Sequence, residues 1–113
     1  MVLRKPRMVG GGGDGMDVLQ YEVLQETAAV LARLGRKLQD ALDGLAAFDA
    51  APPAGWTADD RDALVRAAGE ALWYYVVQRE VMRIPATDAM LRELGVPREV
   101  RLRMGLNRGP SVW

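Results

Sequence analysis

Leucine recurs at every seventh position from Leu24 through Leu31 and Leu38 to Leu45, and this repeat most limits what the chain can fold into. Thr27, Leu34, Ala41 and Phe48 follow three residues later, with Ala28, Gly35 and Leu42 four later, so one helix face carries a continuous seam. Arg33, Arg36, Gln39, Asp40 and Asp43 fall outside it, as solvated positions should. The pattern predicts a single helix from Asp17 to about Phe48, roughly 32 residues at 1.5 Å each. The stretch DAAPPAGW ends it, because Pro53 cannot continue a helix and Pro52 restricts the residue before it.

Thr57 then caps a second helix, whose first turn carries Asp59 and Asp60 on the positive end of the helix dipole. It is predicted to run to about Ile84, before Pro85. Two long helices joined by so short a loop must lie antiparallel. Thr87 can cap a third, short helix ending at Leu94 with Gly95 beyond it, and Pro97 opens a fourth to about Met104, closed by Gly105. Strand signals are missing, so the expected class is all-α: a long helical hairpin plus two short C-terminal helices.

A chain of 113 residues has length for one core. The expected domain covers residues 16–105, flanked by a tail over 106–113 and a disordered basic, glycine-rich tail over 1–15. Gly10 to Gly13 running into a helix has the outline of a phosphate loop. The Lys followed by Ser or Thr that such a loop needs, and the strand before it, are both missing, which favours a flexible linker.

With 15 basic and 15 acidic side chains the net charge is zero, so no global field draws the chain to nucleic acid or an anionic membrane. Both ends are basic and the middle acidic. Cysteine and histidine are absent, the one serine is Ser111, and the lysines are Lys5 and Lys37. Serine triads, thiolate chemistry and imidazole acid–base catalysis are thereby excluded. The expectation is a non-enzymatic protein without a cofactor. Glu22 and Glu26 share a helix face and could in principle hold a metal, but they lie opposite the leucine seam and are read as facing water. No apolar run is long enough for a secretory leader or a membrane span, so a cytoplasmic protein is expected.

The segment ALWYYVVQREVMRIP, residues 71–85, is the densest apolar run, yet Arg79, Glu80 and Arg83 are set within it. Large apolar residues surround nearly the whole helix there, which calls for cover on more than one side. Trp73, Tyr75, Val77 and Val81 are the expected interface of a homodimer, two hairpins forming a four-helix bundle; the other possible cover is the two short helices folding back. Folding the chain about Pro53 brings Arg79 near Thr27 and Arg83 near Val23, so Gln20, Tyr21 and Thr27 become candidate partners for the charged trio. The trio is then either a satisfied structural network or, through Arg79 and Arg83, a site for a small anion or ligand.

LRELGVPREVRLRMG has the outline of a helix-turn-helix, with Arg98, Arg101 and Arg103 as candidate nucleic-acid contacts. Position 101, where the motif needs an apolar residue, is arginine, so two short helices packing on a hairpin is the preferred reading and a nucleic-acid-associated regulator using residues 98–108 the alternative.

The block LWYYVVQREVMRI followed by VPREVRLRMG, with the helix LQYEVLQETAAVLARLGRKLQDAL, resembles a family of short uncharacterised helical bacterial proteins, a domain of unknown function. The resemblance covers residues 17 to 105. It implies a cytosolic bacterial protein with a self-contained fold, and carries over no substrate, cofactor or catalytic residue. The combined expectation is a helical interaction or assembly protein, dimeric, with a further protein partner possible.

Overall fold

The computed structural model describes residues 14–105, and every regular element in them is an α-helix: α1 (Asp14–Ala50), α2 (Ala58–Val81), α3 (Asp88–Glu93) and α4 (Arg98–Arg103). Of the tails expected over 1–15 and 106–113, residues 1–13 and 106–113 lie outside the described residues. Asp14 and Gly15, assigned to the tail by composition, are instead the first residues of α1. Among the described residues no helix is long and apolar enough to cross a membrane.

The chain divides into two compact units after Val30. In the second, three helices contribute to one core. Leu38, Leu42 and Leu45 come from the seam of α1, Val65, Ala68 and Leu72 from α2, and Val96 and Val100 from the turn before α4 and α4 itself. Leu72 and Val100 are wholly buried. Val100, the residue before the Arg101 that breaks the helix-turn-helix pattern, is the side chain that seats α4 on α2.

Gly69 makes that seating possible. A Cβ there would stand 3.0 Å from the carbonyl oxygen of Arg103, so only a residue without one lets the end of α4 approach the α2 backbone so closely. With α1 on one side and α4 on another, α2 has two apolar neighbours, which explains why its sequence shows no single apolar stripe.

The hairpin register differs from a fold about Pro53. Gly35 lies against the Tyr75 ring (3.2 Å from its added Cβ position to Cε1), and Asp49 pairs with Arg61; both pairs are symmetric about residue 55. The cause is local. The first helix runs to Ala50, past Phe48, and the left-handed backbone of Gly55 (φ 77°) lies in the loop that reverses the chain. On this register Arg79 is level with Leu31, one helical turn from the expected Thr27.

The caps explain where the helices stop. Thr57 Oγ1 accepts from the Asp60 amide (3.2 Å) while Asp60 Oδ2 accepts from the Thr57 amide (2.9 Å), a reciprocal box with aspartate in the place glutamate often takes. Thr87 Oγ1 likewise accepts from the Met90 amide at 3.1 Å. At the end of α3 the Val96 amide donates to Leu91 and that of Gly95 to Arg92, the paired bonds of a left-handed glycine cap.

The second helix ends at Val81, three residues before the expected Ile84, in the same geometry. The Ile84 amide donates to Arg79 (2.8 Å) and the Arg83 amide to Glu80 (3.0 Å), but the left-handed position (φ 62°) is occupied by Arg83 instead of glycine. Its Cβ makes that conformation cost on the order of 1 kcal/mol. Arg83→Gly is therefore expected to raise stability by about 0.5–1 kcal/mol. Urea denaturation checks it, and an unchanged or lowered midpoint would show that the arginine side chain offsets its backbone strain.

Candidate functional site

The sequence points to three places: the charged trio at the end of α2, the arginines of α4, and the apolar surfaces. The first is built by the cap just described. The Arg79 carbonyl accepts from Ile84, its Nη2 donates to the Pro85 carbonyl (3.4 Å), and its guanidinium stands 5.8 Å over the Tyr75 ring. Arg79 thus touches both the helix end and the chain leaving it. Its Nε is buried without a hydrogen-bond partner among the described residues. Glu80 and Arg83 are exposed. Of the expected partners, Tyr21 accepts at its hydroxyl from Gln25 Nε2 (3.2 Å), and Thr27 Oγ1 donates to the Val23 carbonyl (2.6 Å), both one turn away along α1.

The α4 arginines are engaged by carboxylates. Arg103 Nη1 donates to Asp62, which also receives Arg66, and Arg101 Nη1 donates to Asp88 at 3.3 Å. Arg98 is exposed. No local sequence pattern points to the largest such cluster among the described residues, centred on Arg61. Its guanidinium forks to both oxygens of Asp49 (2.7 and 2.9 Å) and both of Glu99 (2.8 and 2.9 Å), tying the end of α1, the start of α2 and the start of α4. Three residues so far apart in the chain have no shared periodicity that would connect them.

The hydrogen bonds from Arg61 hold the Asp49 and Glu99 carboxyls below their ordinary pKa values, against the opposing effect of desolvation, and those from Arg103 do the same for Asp62. Arg61 and Arg103 are reciprocally pushed further above the usual arginine value. A cleft of about 430 Å³ opens over this cluster, with Trp56, Val65 and Leu102 among its apolar walls. Its guanidinium groups are already matched by fixed carboxylates. The arrangement braces three helices.

The apolar surfaces are distributed differently from the expectation. Tyr75 packs against the core and Gly35, Trp73 is half-buried edge-on to the Tyr74 ring (5.2 Å), Val77 is half-buried, and Val81 is exposed. The largest concentration of exposed apolar side chains is instead on α1 before Val30. Val18, Leu19, Val23 and Leu24 are 59, 58, 62 and 63% exposed. Leu19, Gln20, Val23 and Leu24 line a shallow groove of about 380 Å³. The signal for it was present in the leucine repeat: Leu24 belongs to the same seam as Leu38 and Leu45, which are buried.

A family model described as a family of unknown function, DUF6665, matches residues 7–110. The chain belongs to the DUF6665 family. The match spans all four helices, so the α1 surface, the Arg61 brace and the α2 cap all lie within the DUF6665 unit. No curated protein and no solved structure matches the chain.

Proposed function

We propose that this DUF6665 protein is a non-enzymatic, cytoplasmic assembly protein that acts as a homodimer, docking through the first turns of α1. The observation that carries the reading is the exposure of Leu19, Val23 and Leu24, which line one shallow groove on neighbouring turns of α1. Contiguous apolar patches of this kind mark interaction surfaces far more often than scattered single residues do. Tyr75, part of the dimer surface expected on α2, packs against the core, which supports a docking surface on α1 instead.

Light scattering at micromolar concentration tests it. The wild-type chain is expected at dimer mass and Val23→Asp, at a position 62% exposed in the monomer, at monomer mass with its helix content retained. A monomer mass for the wild type overturns the reading.

A second reading, capture of a small anion, has support in the buried, unpartnered Nε of Arg79. Melting curves of the same samples with added phosphate test it: a rise in the wild type that is lost in Arg79→Ala is the expected result, and no rise removes the reading. The nucleic-acid reading has less support, because the guanidinium groups of Arg101 and Arg103 are matched by Asp88 and Asp62.

A further inference from the structure

The groove lined by Leu19, Gln20, Val23 and Leu24 lies wholly within the first turns of α1, and both its edges are acidic. At about 100° per residue, Glu26 stands about 20° and Glu22 about 60° from Leu19 on one edge, and Asp17 about 20° from Leu24 on the other. All three carboxylates are exposed. From residue 14 to residue 30 the chain carries Asp14, Asp17, Glu22 and Glu26 and no base.

That composition restricts what can cover the face. Two such segments laid directly on one another would gather like charges around an apolar contact, which opposes association. An occupant that fits is both apolar and basic. Residues 2–9, VLRKPRMV, have that composition: Arg4, Lys5 and Arg7 among Val2, Leu3, Met8 and Val9, with no acid. A proline at position 6 favours an extended course for the residue before it over a helical one. In an extended segment Lys5 and Arg7 stand about 6.6 Å apart, against about 6 Å for the four helical residues from Glu22 to Glu26.

From this match we propose that residues 2–9 of each copy dock in the α1 groove of a second copy, Lys5 and Arg7 against Glu22 and Glu26 and Arg4 against Asp17, with Leu3 and Pro6 over Leu19, Val23 and Leu24. It rests on the assembly reading above and names what holds that dimer together. The exchange sets each acidic face against its partner's bases, and every contact occurs twice by symmetry. The reach is sufficient. Gly10 to Gly13, the four residues between the segment and α1, can span up to about 14 Å, more than the roughly 8–10 Å between packed helices.

Sedimentation of the full chain tests this through charge reversal. Arg4→Glu/Lys5→Glu/Arg7→Glu and, separately, Asp17→Lys/Glu22→Lys/Glu26→Lys are each expected to raise the dimer dissociation constant on the order of tenfold. An equimolar mixture of the two variants is expected to return it to the wild-type range, because each then offers the other a segment and a groove of opposite sign. That recovery also shows that the loss in either variant alone is not misfolding.

Direct contact between two α1 faces would leave the first variant unchanged. With a wild-type dimer, a wild-type constant in either variant overturns the exchange and leaves the assembly reading standing. A tighter dimer in the first variant means that residues 2–9 cover the groove of their own chain, and overturns the exchange too, as does weakening without recovery on mixing. A wild-type chain that is monomeric throughout overturns both.

Discussion

Leu72→Ala is expected to cost about 2–5 kcal/mol, the range for removing a wholly enclosed leucine whose surroundings cannot close over the space. Leu72 has no exposed surface and sits in the one core to which α1, α2 and α4 all contribute. Leu102→Ala, at a position 63% exposed on α4, should change stability by no more than about 0.5 kcal/mol. Urea unfolding of the pair checks the assignment of the core. Equal losses would mean that Leu72 is not enclosed as described.

Gly69→Ala is expected to destabilise by about 1–3 kcal/mol, although alanine is the better helix former. The new methyl would meet the backbone of Arg103 at 3.0 Å, and backbone cannot rotate away as a side-chain end can. Gly44→Ala supplies the comparison. Beyond its chain neighbours and the nearby backbone of its own helix, nothing among the described residues lies within 4 Å of a Cβ at Gly44, so the same substitution there should stabilise by up to about 1 kcal/mol. Opposite signs at two helical glycines would establish that α4 rests directly on α2; a gain at both would place α4 elsewhere. Hydrogen exchange at the Val100 amide reports the same event locally, with faster exchange expected in Gly69→Ala.

Much of the fold was legible because short-range chemistry governs it. Thr57, Thr87, Gly95 and the two prolines at 52 and 53 act within four residues of themselves, and each set a helix end close to where it was expected. The seven-residue leucine repeat likewise located α1 and the buried part of its seam.

What was not legible depends on three dimensions. The reversal falls at Gly55 and not Pro53, a shift of two residues in the loop that offsets every pair across the hairpin by four residues, about one helical turn. Arg83 ends α2 early in a conformation that sequence preference assigns to glycine. The Arg61 brace joins Asp49 and Glu99, residues separated by the whole of α2 and α3, and no local pattern encodes it. The candidate docking face was half visible. Leu24 was recognised as a seam residue, yet only its 63% exposure shows that the seam continues past the buried core.

The unbroken helix from Asp14 to Ala50 has a consequence for how its two ends are held. Around Leu38 to Leu45, helix is maintained by burial, whereas the turns around Leu19 to Leu24 bury little and must rely on intrinsic propensity, which is marginal for short helical stretches in water. A partner that covers those turns therefore stabilises their secondary structure as well as their surface. Order in the first turns of α1 and occupancy of its face become linked equilibria; with a second copy as the proposed partner, protein concentration would tune how much of the helix exists.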